Sequence, residues 1–245
     1  KLSDVIKAVQ GVQDEVDIKL NSYTTVVDAK KCKMYMKNFG EFFDNQIQYA
    51  GAIIMSRTDI ASEKKVQESL ELLRSLNKDA AIITTPIENL DGKKLVEVME
   101  HPVSLEQEML EEEHEHHHHH DGECGCGHDH EEHEHHHHHD GECGCGHDHH
   151  HHHADEVFTS WGRETIKKYT REGLEKILEA LSESDKYGII LRAKGMLPAE
   201  DGTWIYFDMV PEETEIRSGA PEYTGRLCVI GSKLNEDKLA ELFGL

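Results

Sequence analysis

The sequence predicts an α/β protein: a partial parallel sheet with helices, then a histidine-rich linker, then a small α+β domain. Three observations carry that expectation. Before residue 104, short β-branched runs alternate with helical periodicities, the pattern of βαβ units. Over 105–155 the chain is charged and has few apolar residues, too few to build a core. Beyond 156, several strand-like runs joined by turn residues accompany two helical patterns. The expected domains are therefore 1–104, 105–155 and 156–245.

In chain order, Lys1–Gln10 already has the pattern of an amphipathic helix, and Lys1 is not an initiator methionine. The sequence therefore reads as a piece whose N-terminal part precedes it. Tyr23–Val27 is a β-branched run ending at Asp28, and Lys30–Tyr49 is helical in character, with Met34, Phe39, Phe42, Phe43 and Ile47 apolar. Ala52–Met55 is a short apolar strand. Ser62–Asn77 reads as a helix, because Val66, Leu70, Leu73 and Leu76 recur on one face and Ser62 suits an N-cap. Ala80–Ile83 is a further strand, and Asp91 caps a helix through Met99. Pro102 closes this layer.

After the linker, Val157–Trp161 reads as a strand, and Leu174, Ile177, Leu178 and Leu181 mark a helix. Gly188–Ala193, Thr203–Val210, Glu213–Arg217 and Arg226–Ile230 read as strands, with Asp201-Gly202 as a turn. Leu234–Phe243 closes as a helix. The expected second sheet is mostly antiparallel.

The linker is built from one nineteen-residue unit written twice, EEHEHHHHHDGECGCGHDH, over Glu112–His130 and again over Glu131–His149. Twenty of the 21 histidines lie between His114 and His153. Cys124 and Cys126 with His128 and His130 offer two sulfurs and two nitrogens within seven residues. Cys143, Cys145, His147 and His149 repeat the offer, and His114, His116, His133 and His135 add further imidazoles. Four N/S donors suit tetrahedral Zn²⁺, and Ni²⁺, Co²⁺ and Cu ions also favour them. The alternatives are a purification tag or a solvated spacer. Internal position, interruption by acids and duplication around C-G-C argue against a tag. The linker is expected to be disordered, so it can gather ions without fixing a geometry that selects among them.

Formal net charge is -23. Glu111–Glu156 supplies 15 acids and no Lys or Arg, so this segment alone carries -15 of that total. No basic stripe exists to neutralise phosphates, which argues against a nucleic-acid partner. No apolar run approaches the ~18 residues that span a membrane, and no signal peptide is visible. A cytoplasmic protein is expected. Cys32 and Cys228 stand alone in apolar stretches and are expected to behave as small buried hydrophobes.

Ser56-Arg57-Thr58-Asp59 follows directly on the strand Ala52–Met55. A strand followed by N-K-x-D is the guanine-reading element of many GTPases, in which the Asp accepts hydrogen bonds from N1–H and the exocyclic N2–H. Here Asp59 keeps the carboxylate, Arg57 stands for the Lys stem, and Ser56 departs from Asn. An Asp just before a helix serves equally well as a cap or first-turn acid. Thr84 and Thr85, after the next strand, suit a second base-contacting loop, or simply a strand end. No G-x-x-x-x-G-K-[ST] occurs in the 245 residues. Without those backbone donors and the Lys they are not expected to hold a triphosphate in that mode, or to hydrolyse GTP alone.

Taken in order, these features resemble the CobW-like GTPases, a family of P-loop metallochaperones. The resemblance rests on T-V-V-D-A-K at Thr25–Lys30, F-F-x-x-Q-I at Phe42–Ile47, and A-I-I-M-S-R-T-D at Ala52–Asp59. It continues through the His-rich linker to Phe158–Trp161, R-A-K-G at Arg192–Gly195, Trp204, Phe207 and R-L-C-V-I-G at Arg226–Gly231. It implies a P-loop-type parallel sheet, GTP with Mg²⁺ as cofactor, and hydrolysis coupled to moving a divalent metal into a client metalloprotein. The family's phosphate loop and C-x-C-C metal motif lie upstream of the matched region. The nucleotide contacts it carries onto this chain are Asp59 first, then Arg57, Ser56 and Thr58. A metal store that buffers ions without nucleotide turnover is the competing reading.

Overall fold

The structure, a computed structural model, describes residues 1–13, 15–101, 105, 109 and 158–245. The first sheet has three parallel strands in sequence order: β1 (Thr24–Asp28), β2 (Ala52–Ser56) and β3 (Ala81–Ile83). Its helices are α1 (Leu2–Gln10), α2 (Cys32–Phe39), α3 (Glu41–Gln48), α4 (Glu63–Leu76) and α5 (Gly92–Glu100). Period-2 alternation divides the apolar side chains between two faces. Val27, Ile53, Met55 and Ile82 meet Ile47, Val66, Leu70 and Leu73 on one face. Ile54, Ala81 and Ile83 meet Leu95 and Val98 of α5 on the other. That second cover stops short of β1, where Val26 is 65% exposed.

The helical stretch Lys30–Tyr49 is two helices rather than one. Gly40 breaks it at φ 43° and ψ -118°, a conformation that residues with a Cβ rarely adopt. The break gives α2 and α3 separate directions, and Phe39 and Phe42 beside it are exposed. Ser62 caps α4 by accepting from Lys65 N, and Asp91 caps α5 by accepting from Lys93 N.

Asn77, just past α4, is a buried polar side chain with a structural task. Its amide donates to the carbonyls of Ile47 and Ala50, both at 2.8 Å. Its Oδ1 accepts from Asp79 N and Ala80 N at 3.0 and 2.9 Å. One side chain thus joins the end of α3, the end of α4 and the entry to β3.

The second sheet has five antiparallel strands, β4 (Thr159–Thr165), β5 (Ile189–Pro198), β6 (Trp204–Val210), β7 (Glu213–Gly219) and β8 (Gly225–Ser232), in the order β4-β8-β5-β6-β7. Helices α6 (Arg171–Glu183) and α7 (Glu236–Phe243) cover one face. Trp161, Leu227 and Val229 pack there against Leu174, Leu178, Leu239 and Phe243. Cys228 and Ile230 point the other way, where Leu105 and Met109 pack against them. Both β4 and β5 run further than hydrophobicity suggests. β5 passes through Gly195, where a Cβ would lie 2.4 Å from the Phe207 ring and 2.9 Å from the Arg226 carbonyl. The missing side chain permits that close approach. Cys32 and Cys228 are both buried, and burial raises the Cys32 thiol pKa. No described helix is long and apolar enough to cross a membrane.

Replacing Asn77 by Ala leaves the Ala50 carbonyl and the Ala80 N–H without their side-chain partner in the interior, at about 1–3 kcal/mol for each unsatisfied group, while the Ile47 carbonyl keeps the Ala50 N–H. Urea unfolding of N77A should show a loss of stability of at least the lower figure with an unchanged m-value.

Candidate functional site

Ser56–Asp59 leaves the C-terminal end of β2, the central strand of the first sheet. The loop is tied back to β1 at three points. Ser56 Oγ donates to the Val27 carbonyl at 3.2 Å, and the Ser56 carbonyl accepts from Ala29 N at 3.0 Å. The Arg57 guanidinium lies 3.1 Å from Asp28 Oδ2. Ser56 therefore spends its hydroxyl on a neighbouring strand. Arg57 stands at φ 62°, in the left-handed region that a non-glycine residue enters at a cost of about 1–3 kcal/mol. Its pair with Asp28 fixes where the strained residue points. Asp28 itself turns the chain by accepting from Lys30 N at 2.9 Å.

Asp59 is exposed, with its carboxylate free to accept. Thr58 Oγ1 is buried with no hydrogen-bond partner. Thr84 and Thr85 follow β3 and are both buried. The two loops meet at one cavity of about 570 Å³. Thr58, Asp59, Thr84 and Thr85 line it from the first sheet, and Lys168 and Trp204 from the second. Lys168 Nζ is also 3.4 Å from Glu63 of α4. A carboxylate acceptor, an unsatisfied hydroxyl and an apolar wall suit the polar edge and flat faces of a purine. A larger groove along α4, lined in part by Arg74, Lys78, Arg163 and Glu164, contains none of these loop residues.

The second sheet docks on the end of β3. Ile166 packs into the core on the α4 side, and Tyr223 into the core on the α5 side. Arg74 seals the same seam: Nη1 donates to the Lys78 and Ala80 carbonyls at 2.7 and 2.8 Å, while Nε and Nη2 donate to Glu164 Oε2 at 3.1 and 2.6 Å. Sequence reasoning missed Asp28, Glu222, Tyr223 and Thr224. Asp28 stood in the open at the end of a β-branched run. The others sit in a loop whose polar residues look solvated until the partner sheet is placed.

The linker donors Cys124, Cys126, His128, His130, Cys143, Cys145, His147, His149, His114, His116, His133 and His135 lie outside the described residues. Among the described residues no three His, Cys, Asp or Glu side chains gather into a metal site.

Residues 3–84 match the CobW/HypB/UreG nucleotide-binding domain, and residues 158–244 match the cobalamin synthesis protein CobW C-terminal domain. The chain belongs to the CobW-like family. Within that family assignment, it is 23% identical over 206 residues to zinc-regulated GTPase metalloprotein activator 1 of Schizosaccharomyces pombe, covering 82% of this chain and 48% of that protein. A shorter stretch of 91 residues is 32% identical to cyclic 2,3-diphosphoglycerate synthetase of Thermococcus sibiricus, covering 35% of this chain and 20% of that enzyme. Among solved structures, the Zn(II)-bound YjiA GTPase from E. coli aligns at 18% identity and a TM-score of 0.33, over 97% of this chain and 66% of that one. The chain thus spans about half the length of the first relative.

The CobW-like loop at Ser56–Asp59 should depend on its tether to β1. Asp28→Ala should raise amide hydrogen exchange at Thr58 and Asp59 while global stability falls by about 1–2 kcal/mol, the worth of a half-exposed ion pair together with the hydrogen bond from Lys30 N. Exchange monitored by NMR, beside a urea melt, separates the two effects.

Proposed function

We propose that this chain is the guanine-reading and metal-gathering part of a GTP-dependent metallochaperone. The observation that carries the reading is the joining of two CobW-family matches by a linker with twenty histidines and four cysteines. In this reading the chain divides into a nucleotide-binding part over 1–104, a metal-binding linker over 105–155 and a C-terminal domain over 156–245. Asp59 accepts from the guanine N1–H and N2–H groups. Thr58 adds a hydroxyl, and Arg57 and Ser56 hold the loop in place. Mg²⁺ and the phosphate-binding residues belong to sequence outside these 245 residues.

The linker collects a divalent metal as cargo. Zinc is favoured because the two C-G-C pairs add thiolates to imidazoles, and because the S. pombe relative is named for regulation by zinc. Cobalt and nickel are served by the same nitrogen donors. The cargo then passes to a client metalloprotein in the cytoplasm. The competing reading, a metal buffer without nucleotide turnover, keeps the linker chemistry and gives the Asp59 loop no role.

Two measurements divide these readings. Equilibrium dialysis against Zn²⁺ should show several ions bound to the chain, and loss of most of them when Glu112–His153 is deleted. Binding should also collapse near pH 5, below the ordinary imidazole pKa of ~6.5, where protonation removes the donor lone pair. Equal uptake with and without the linker would exclude it as the store. Separately, GMP titrated into the chain should perturb the Asp59 loop in NMR spectra, and Asp59→Ala should abolish that response. A parent chain blind to GMP would favour the buffer.

A further inference from the structure

The loop after β3 does not belong to the first sheet alone. The backbone N–H groups of Thr84 and Thr85 both donate to one acceptor, the Tyr223 carbonyl, at 2.9 and 3.0 Å. Their hydroxyls go to the same short segment: Thr84 Oγ1 lies 2.8 Å from Thr224 Oγ1, and Thr85 Oγ1 donates to the Glu222 carbonyl at 2.5 Å. Four polar groups from two adjacent residues therefore end on Glu222–Thr224, more than 130 residues away along the chain.

That segment is itself held from several sides. The Glu222 side chain is only 8% exposed, yet it is ion-paired with Lys94 of α5 at 3.3 Å and with Arg226 at 3.4 Å. The Tyr206 hydroxyl lies 2.9 Å from Glu222 Oε1 and donates to the Ala220 carbonyl at 2.9 Å. Burial, and then the Glu222 charge, raise the Tyr206 pKa, so this hydroxyl keeps its proton across the working pH range. The Tyr223 ring fills the core between β3 and α5, with the Arg226 guanidinium 4.6 Å from its centre. A segment fixed by paired charges, a buried ring and hydrogen bonds has one position to impose on whatever it grips.

We infer that the C-terminal domain is a positioning element for the nucleoside pocket, with Glu222–Thr224 setting the loop Thr84–Thr85 against the purine edge. This inference rests on the guanine reading given to Asp59. A guanine whose N1–H and N2–H face Asp59 carries its O6 on the same edge. Thr84 and Thr85 line the same cavity as Asp59, and of the two hydroxyl hydrogens in the Thr84–Thr224 pair only one is spent between them, which leaves the other to donate to O6. The grip confines that loop before ligand arrives, so less ordering entropy is lost on binding. By linkage, a purine in the pocket must also register in the C-terminal sheet.

The test uses the whole chain, with GMP and 6-thio-GMP as probes. The thio analogue keeps N1–H and N2–H for Asp59 and replaces only O6 with a weaker acceptor. In the parent chain, GMP should shift the amides of Thr84 and Thr85 together with those of Tyr223 and Thr224, and should bind better than the thio analogue. The double variant Thr84→Val with Thr224→Val should weaken GMP by about fivefold or more. It should also bring the two probes toward equal affinity and silence the Tyr223–Thr224 response. Thr84→Ser with Thr224→Ser, which restores both hydroxyls, should recover all three. If GMP shifts the Asp59 loop but never the 222–224 amides, or if the valine variant keeps affinity and discrimination within about twofold, well short of a typical coupling, the positioning role is wrong while the guanine reading stands. If the parent chain shows no response to GMP anywhere, both fall together.

Discussion

The end of β3 is the point on which this molecule turns. β3 is three residues long and among the described residues pairs with one neighbour, so there it is an edge with little of its own to hold it. Edges of that kind need cover. Here the cover comes from the loops that flank β4 and β8, which reach over both faces at once: Ile166 enters the core beside α4 and Tyr223 the core beside α5. Apolar burial on both sides resists sliding and rotation together. The polar contacts, Arg74 to Glu164 and the threonine loop to Glu222–Thr224, then set register within a seam that packing has already closed. The order matters energetically, because hydrogen bonds gain most where water has been excluded.

Much of this architecture was legible in the sequence, and the successes share a cause. Wherever one face of an element meets a core, periodicity reports it: Val66, Leu70 and Leu73 on α4, or the alternation of Ile205, Phe207 and Met209 with the more exposed Tyr206, Asp208 and Val210 on β6. Caps were legible for the same local reason, as at Ser62 and Asp91. The break at Gly40 was not, since apolar residues continue on both sides of it and only the backbone angle betrays the turn. The length of β5 was also hidden. Its second half looks poorly suited to a strand, with a glycine and a terminal proline, until Phe207 and the Arg226 backbone are seen to fill the space a side chain would occupy.

The candidate site divides along the same line. The residues that touch solvent, Asp59 and Arg57, could be proposed from the sequence because their chemistry is local and their order along the chain carries it. The residues that hold them were not. Asp28 restrains Arg57 from the neighbouring strand, and Glu222–Thr224 grips Thr84 and Thr85 from another domain. Such contacts join distant positions, and nothing in the spacing of either partner announces the other. A buried glutamate beside a tyrosine in a loop reads as surface until a lysine from α5 and the hydroxyl of Tyr206 are placed against it.

This arrangement also bears on the contrast between the linker sequence and the two sheets. The repeat offers many equivalent donors, which in the proposed reading favours capacity over selectivity among divalent ions. The folded parts show the reverse. Strain at Arg57, a buried ion pair at Glu222 and a shared carbonyl at Tyr223 all restrict one small region to one geometry. Restriction of that kind costs free energy, and strain of this sort clusters at ligand sites. In the proposed function the two parts of the chain therefore answer different physical demands, the linker raising the local concentration of metal and the seam holding a loop ready to recognise a single ligand edge.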